Sequence, residues 1–497
     1  MRASGVLLPV FSLPSKYGIG CFSKEAYQFV DQLKEAGQSR WQILPLGPTG
    51  YGDSPYQSFS TFAGNPYFID LKTLIKEGLL TKKECASYDF GEQKDYIDYE
   101  KLYHSRFKVL KKAYKRFQPD GDYKKFVAKN DWWLKDYCLY MAIKDSLGGA
   151  PWSEWEAPLR DRDREALAQA EERLADEIDF YAFQQFEFDK QWGKLKSYAN
   201  KNGIQIVGDL PIYVAFDSAD TWAAPQLFQF DEDHKPTRVA GCPPDAFSAT
   251  GQLWGNPLYD WDYHRQTGYD WWLKRISYCF KLYDIVRIDH FRGFDEYYAI
   301  PYGDKTAEHG KWQKGPGMDI FRALEKQFGK LNIIAEDLGF LTDSVLKLLK
   351  DSGFPGMKVV QFAFDSREAS NYLPHTYPTN CVVYTGTHDN DTTRSWYHNA
   401  PKECRDLAKK YLVKPRLDED TLAWDFIAMA MSSVADLCVT PIQDFLCLDG
   451  HARINTPSTL GGNWTWRLTK GQITKELVKQ IYEMTELYGR LPEKKKK

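Results

Sequence analysis

Apolar residues along the chain gather into eight short runs, at 5–11, 41–46, 204–210, 285–291, 333–336, 357–364, 382–388 and 437–445. Most are solid rather than alternating, the pattern of parallel strands covered on both faces. Between several of them the period lengthens to that of a helix. Ser23 can cap a helix whose Ala26, Phe29, Val30 and Leu33 share one face, and Gly37 can end it. TDSVLKLLK, opening on Thr342, reads as a second capped helix, stopped by Gly353 and Pro355. Trp272, Ile276, Cys279 and Phe280 mark a helix before the fourth run, and 422–433 marks another before the eighth. Eight strand–helix units in series predict an α/β fold, a (β/α)8 TIM barrel forming one catalytic unit over 1–497.

The spacing is uneven. A stretch rich in Tyr, Trp, Lys and Glu separates the second and third runs, and predicts a mostly helical insertion at about 50–195. A second insertion, about 213–268, follows the third run and reads as loop-rich, with GCPPDAFSATGQLWGNPLYDW inside it. The lysines at 494–497 read as a solvated basic tail.

Composition narrows the function classes. With 65 basic and 68 acidic residues the net charge is −3, so nothing asks for nucleic acid or an anionic membrane. Nine scattered cysteines without a C-x-x-C pair argue against a disulfide framework or a thiolate zinc site, and fit a reducing, cytoplasmic setting. The N-terminal apolar run is short and broken by Pro9 and Pro14, which fits a first strand better than a signal peptide, and no run is long enough to span a membrane. The 16 Trp and 31 Tyr stand out, since such rings often line ligand surfaces and suit the apolar faces of sugars.

Catalytic groups of a barrel collect at the C-terminal ends of its strands. Here those ends are acidic: Asp209 closes the third run, Asp289 the fourth, Glu336 and Asp337 the fifth, His388 and Asp389 the seventh, and Asp444 follows the eighth. In IVRIDHFRG, period two puts Arg287 and Asp289 on one strand face, where the guanidinium would keep the carboxylate ionised. A structural ion pair would look the same, although buried pairs add little stability. Glu336 follows an apolar lead-in and neighbours Asp337, both of which raise a carboxyl pKa; it could equally be a loop or capping carboxylate. One carboxyl biased towards ionised and one towards protonated are the kit for glycoside cleavage, lying about 5–5.5 Å apart in retaining enzymes.

VRIDHFRG, IIAEDLG and TGTHDNDT resemble the catalytic motifs of the α-amylase clan, and GDLPIYVAFDSADTW its third-strand motif. GDSPYQSFSTFAGNPYFIDL and PPDAFSATGQLWGNPLYDW narrow the resemblance to the 4-α-glucanotransferases (amylomaltases) of glycoside hydrolase family 77, from Leu8 to about Arg467. The resemblance implies that Asp289 is the nucleophile, Glu336 the acid/base and Asp389 the transition-state stabiliser. It implies that Arg287, His388 and Asp209 serve the sugar before the scissile bond, with Tyr56 stacking under it. Phe247 and Trp254 would lie in a loop folded over the glucan and Phe362 would form a wall, with Ser54, Asp337 and Asn463 completing the substrate-binding set. It further implies an α-1,4-glucan donor, a glucose or maltooligosaccharide acceptor, and neither cofactor nor metal.

Three other readings fit parts of the pattern. A hydrolase of the α-amylase kind would use the same carboxyl groups with water. An Mg²⁺-dependent barrel enzyme could use Asp209, Asp289 and Glu336 as ligands, though Arg287 is adjacent and no well-placed Lys base is evident. A non-catalytic glucan-binding protein would leave three separate carboxyl groups without a role.

Overall fold

A computed structural model describes residues 2–50, 52–244, 248–339, 341–364 and 371–493 of the chain. Its centre is a barrel of eight parallel strands: β1 (Ala3–Leu7), β2 (Arg40–Gln42), β3 (Gln205–Leu210), β4 (Ile285–Ile288), β5 (Ile333–Ala335), β6 (Gly356–Val359), β7 (Cys381–Tyr384) and β8 (Leu437–Pro441). Each overlaps one of the eight apolar runs. Hydrogen-bonded neighbours run β6-β7-β8-β1-β2-β3-β4-β5, and Ala335 N donating to Pro355 O at 2.9 Å brings β5 against the start of β6. Helices cover the outside. Ser23 caps Lys24–Glu35, whose Ala26, Phe29, Val30 and Leu33 are all buried. Thr342 caps Asp343–Ser352, which Gly353 ends in the left-handed region at φ 67°.

The strands are shorter than the runs that announce them. β8 stops at Pro441 and the chain turns into a short helix, Ile442–Phe445. Asp444 therefore sits in that turn rather than at the strand end. Its carboxylate accepts from Thr393 N at 2.8 Å and Thr393 Oγ1 at 2.7 Å, and takes the Thr385 hydroxyl as well. It is spent on holding the segment after β7.

Inside the barrel, Leu7, Val207, Ile334, Met357, Val359, Val382, Tyr384, Leu437 and Val439 form a separate apolar cluster. Alternation carries each inward row upward, from Val207 to Asp209 and from Ile334 to Glu336. In the β3–β4 register Asp209 lies directly beside Arg287. The top of the barrel thus changes from apolar to ionic within one residue pair.

The segment between β2 and β3 builds several helices, with Gly121–Ser146 packed against Ala175–Lys201. They share an aromatic core with Trp133, Tyr137, Trp152, Trp155, Tyr181 and Trp222. The segment after β3 is not only loop. Arg238–Cys242 and Gln252–Pro257 pair antiparallel, and Glu296–Pro301 and Lys311–Lys314, which follow β4, extend them to a four-stranded sheet. Short strands whose partners arrive from beyond the next barrel strand leave no local signature. Among the described residues no helix is long and apolar enough to cross a membrane.

At the opposite end of the barrel, fully buried Arg490 joins the C-terminal helix Lys475–Leu487 to the start of the first strand and to the end of the helix and turn that precede the last. Nε donates to Met431 O at 2.8 Å, Nη1 to Ala3 O at 2.9 Å and Ala435 O at 3.0 Å, and Nη2 to Ser433 O at 3.1 Å. Arg490→Ala removes all four bonds, leaving Met431 O and Ser433 O with their bonds from Arg2 Nη2 at 2.7 Å each, and should lower stability by about 3 kcal/mol or more, read from the denaturant midpoint, with Arg490→Lys failing to rescue because an ammonium lacks the planar fork.

Candidate active site

Arg287 is the hub of the mouth. It is 3% exposed and Asp209 is 2% exposed. Nη1 donates to both Asp209 oxygens at 2.7 Å, Nη2 to Asp289 Oδ1 at 3.0 Å, and Nε to the Met357 sulfur at 3.3 Å. From Asp209 the network continues through Tyr56, whose hydroxyl donates to Asp209 Oδ2 at 2.7 Å and meets His388 Nε2 at 2.9 Å. His388 Nε2 lies 3.3 Å from Asp389 Oδ2. One polar chain therefore runs Asp289–Arg287–Asp209–Tyr56–His388–Asp389. Burial lowers the His388 pKa, so its ring is neutral at pH 7 and bridges as a hydrogen-bonding group rather than a cation.

Glu336 enters from β5. Glu336 N donates to Ile288 O at 3.0 Å and Phe291 N donates to Glu336 O at 3.0 Å, which fixes the two strand ends side by side. Its carboxylate accepts from His290 N at 2.7 Å and Leu338 N at 2.8 Å. The surroundings of the two carboxyl groups overlap rather than being separate. Burial raises both Asp289 and Glu336, Arg287 opposes this in both, and the charge of Glu336 raises Asp289 further. The difference between them is direct contact. Asp289 takes a guanidinium N–H, and Glu336 takes two backbone N–H groups.

The remaining expected residues divide. Ser54 Oγ accepts from Tyr56 N at 3.3 Å and so shapes the turn that presents the tyrosine. Half-buried Trp254 stands edge to face on His290, ring centroids 4.8 Å apart. Half-buried Phe362 packs edge to face on Tyr372 at 5.5 Å. Asp337 faces β6 and accepts from Met357 N at 2.6 Å, the role of a strand tie. The Asn463 amide is spent on its own loop, accepting from Thr456 N at 2.9 Å and donating to Thr459 O at 3.1 Å. Phe247 lies outside the described residues.

From the segment after β8 the sequence pointed only to Asp444 and Asn463 and missed the residues that reach Asp389. Asn455 Nδ2 donates to Asp389 Oδ1 at 2.7 Å, and Arg453 Nη2 donates to Asp389 O at 2.7 Å. Trp464, with a left-handed φ of 63°, sets its ring 5.8 Å from Tyr56 and 6.1 Å from His388. The signal available was position alone, since a loop after the eighth strand must end at the mouth.

A parallel barrel whose mouth collects carboxyl groups around one buried arginine belongs to the enzymes that work through strand-end carboxyls. The 4-alpha-glucanotransferase family matches residues 8–474. The chain belongs to this family, and its activity is that of the family. A 4-alpha-glucanotransferase of Streptococcus pneumoniae is 50% identical over 99% of this chain and 98% of its own. One of Clostridium butyricum is 48% identical over 97% and 99%. The structure of an amylomaltase from Streptococcus agalactiae in complex with acarbose superposes with a TM-score of 0.96 at 41% identity, covering 99% of this chain and all of that one.

A carboxyl group whose pKa folding raises binds its proton more tightly in the folded chain, so stability falls as pH climbs from the ordinary aspartate range through the raised one. Asp289→Asn should therefore raise the melting temperature by about 1–3 °C near neutral pH and change it little at about pH 4, as thermal melts at both will show.

Proposed function

We propose that the chain transfers α-1,4-glucan segments from a donor to a glucose or maltooligosaccharide acceptor by retaining double displacement at this mouth. Asp289 attacks the anomeric carbon while the glycosidic bond breaks, and Glu336 gives its proton to the departing 4-oxygen. A covalent glucosyl ester of Asp289 results. The acceptor 4-hydroxyl then attacks the same carbon, Glu336 takes the acceptor proton, and the Asp289 carboxylate is freed. Asp389 faces the charge that develops on the sugar ring, with Asn455 holding it in place.

What carries this reading is that burial raises both members of one carboxyl pair at a strand-end mouth. The negative charge of Glu336 adds to the cost of ionising Asp289, so a protonated Glu336 eases attack by Asp289. Arg287, donating directly to Asp289, favours the ionised form of Asp289 that attacks. Tyr56 and His388, stacked with centroids 5.2 Å apart, offer a flat face and polar edge to the bound sugar. The two inserts, about 50–195 and 213–268, act with the barrel as one catalytic unit. Tyr56 comes from the first and Trp254 from the second, and together they would shield the glucosyl ester from water. Arg287 also weighs against a divalent-metal reading, since it donates to Asp209 and Asp289 where a metal would need both.

Incubation with maltotriose should release glucose and lengthen other chains while total reducing ends stay constant; rising reducing ends without lengthening would mean a hydrolase. Asp289→Asn should abolish transfer, and full activity in that variant would sink the assignment. Glu336→Gln should slow transfer from maltotriose by about 10²–10⁴-fold while sparing the first step with an α-glucosyl fluoride donor, whose leaving group needs no proton, so that fluoride release shows a burst before slow onward transfer.

A further inference from the structure

Met357 lies on the inward face of β6 and is 1% exposed. Its register partner on β7 is Val382, an aliphatic of the same interior cluster. Met357 differs in having lone pairs, and its sulfur accepts from Arg287 Nε at 3.3 Å. Its backbone is pinned as well, because Met357 N donates to Asp337 Oδ1 at 2.6 Å. That bond depends on a neighbouring glycine: a Cβ on Gly356 would lie 2.6 Å from Asp337 Oδ2. A continuous line of contacts thus runs from Asp337 through Met357 and Arg287 to Asp289.

We propose that Met357, held by Asp337, is a positioning residue for glucan transfer, its thioether fixing the plane of the Arg287 guanidinium so that Nη2 meets Asp289. This rests on Asp289 being the nucleophile. The guanidinium is rigid and planar, so contacts at Nε and Nη1 determine where Nη2 points. Without the sulfur, only Asp209 and Asp289 compete for it. The Asp209 side chain is shut off from solvent and takes two bonds of 2.7 Å, whereas that of Asp289 is 31% exposed and takes one of 3.0 Å. The less shielded, longer contact yields, and the guanidinium drifts towards Asp209. Asp289 then faces Asp209 from β3, Glu336 from β5 and Asp389 from beyond β7 with weaker compensation, since His388 is neutral and Tyr56 already donates to Asp209. Its proton is held more tightly, and the ionised nucleophile appears only at higher pH.

Met357→Leu keeps the volume and apolar surface but removes the acceptor. With maltotriose, kcat should fall about 10-fold near neutral pH with KM almost unchanged, and the acidic limb of the kcat/KM profile should move up by about 0.5–1 pH unit. Met357→Gln, whose amide oxygen can accept from Nε, should return the limb towards its original place. A Met357→Leu enzyme with the wild-type acidic limb, whatever its kcat or melting temperature, would reduce Met357 to packing and overturn the proposal. Asp289→Asn measured alongside separates the two readings. Inactivity there with an unmoved limb in Met357→Leu defeats only the positioning role, whereas activity in Asp289→Asn defeats the nucleophile assignment beneath it.

Discussion

Arg287 can sit inside the barrel only because Asp209 lies beside it in the β3–β4 register. A buried guanidinium without a counter-charge would cost several kcal/mol, and even a paired one about breaks even against an apolar replacement. Stability is therefore a poor account of the pair. Placement is a better one. The pair turns the last inward layer of an apolar barrel into a fixed positive point, and the candidate catalytic carboxyl groups are arranged around it.

From that point the mouth is assembled by loops that are remote in sequence. Tyr56 arrives after β2, His388 and Asp389 after β7, and Arg453, Asn455 and Trp464 after β8. Each is fixed by at least one bond to scaffold or to another member of the site. Asp444 and Asp337 are bonded to the scaffold; the first ties Thr385 and Thr393, and the second ties β5 to β6. Acidic residues crowd the strand ends for two reasons, chemistry on the inward row and hydrogen bonding of the strand ends on the other.

The electrostatics follow from crowding. Burial raises Asp289 and Glu336 and lowers His388, so the mouth carries less charge at neutral pH than its list of residues suggests. Carboxyl groups held above their ordinary range and a neutral imidazole suit a reaction that moves one proton out and back. They also make the site a place where the fold forgoes stability for chemistry.

By itself the sequence determined the strands, the helices between them and the identity of the acidic strand ends, because these depend on local periodicity and on a two-residue alternation that every barrel strand obeys. Ser23, Thr342 and Gly353 announced their helix ends for the same local reason. Tertiary structure decided what no local pattern encodes: the four-stranded sheet built from segments on either side of β4, the turn of Asp337 towards Met357, the closing of Asn463 on its own loop, and the arrival of Asn455 and Trp464 at the mouth. It also decided the surroundings of each carboxyl group, because the pKa of a buried carboxyl is set by everything near it in space, and Arg287, Asp209, Glu336 and Asp389 reach Asp289 from four different strand ends.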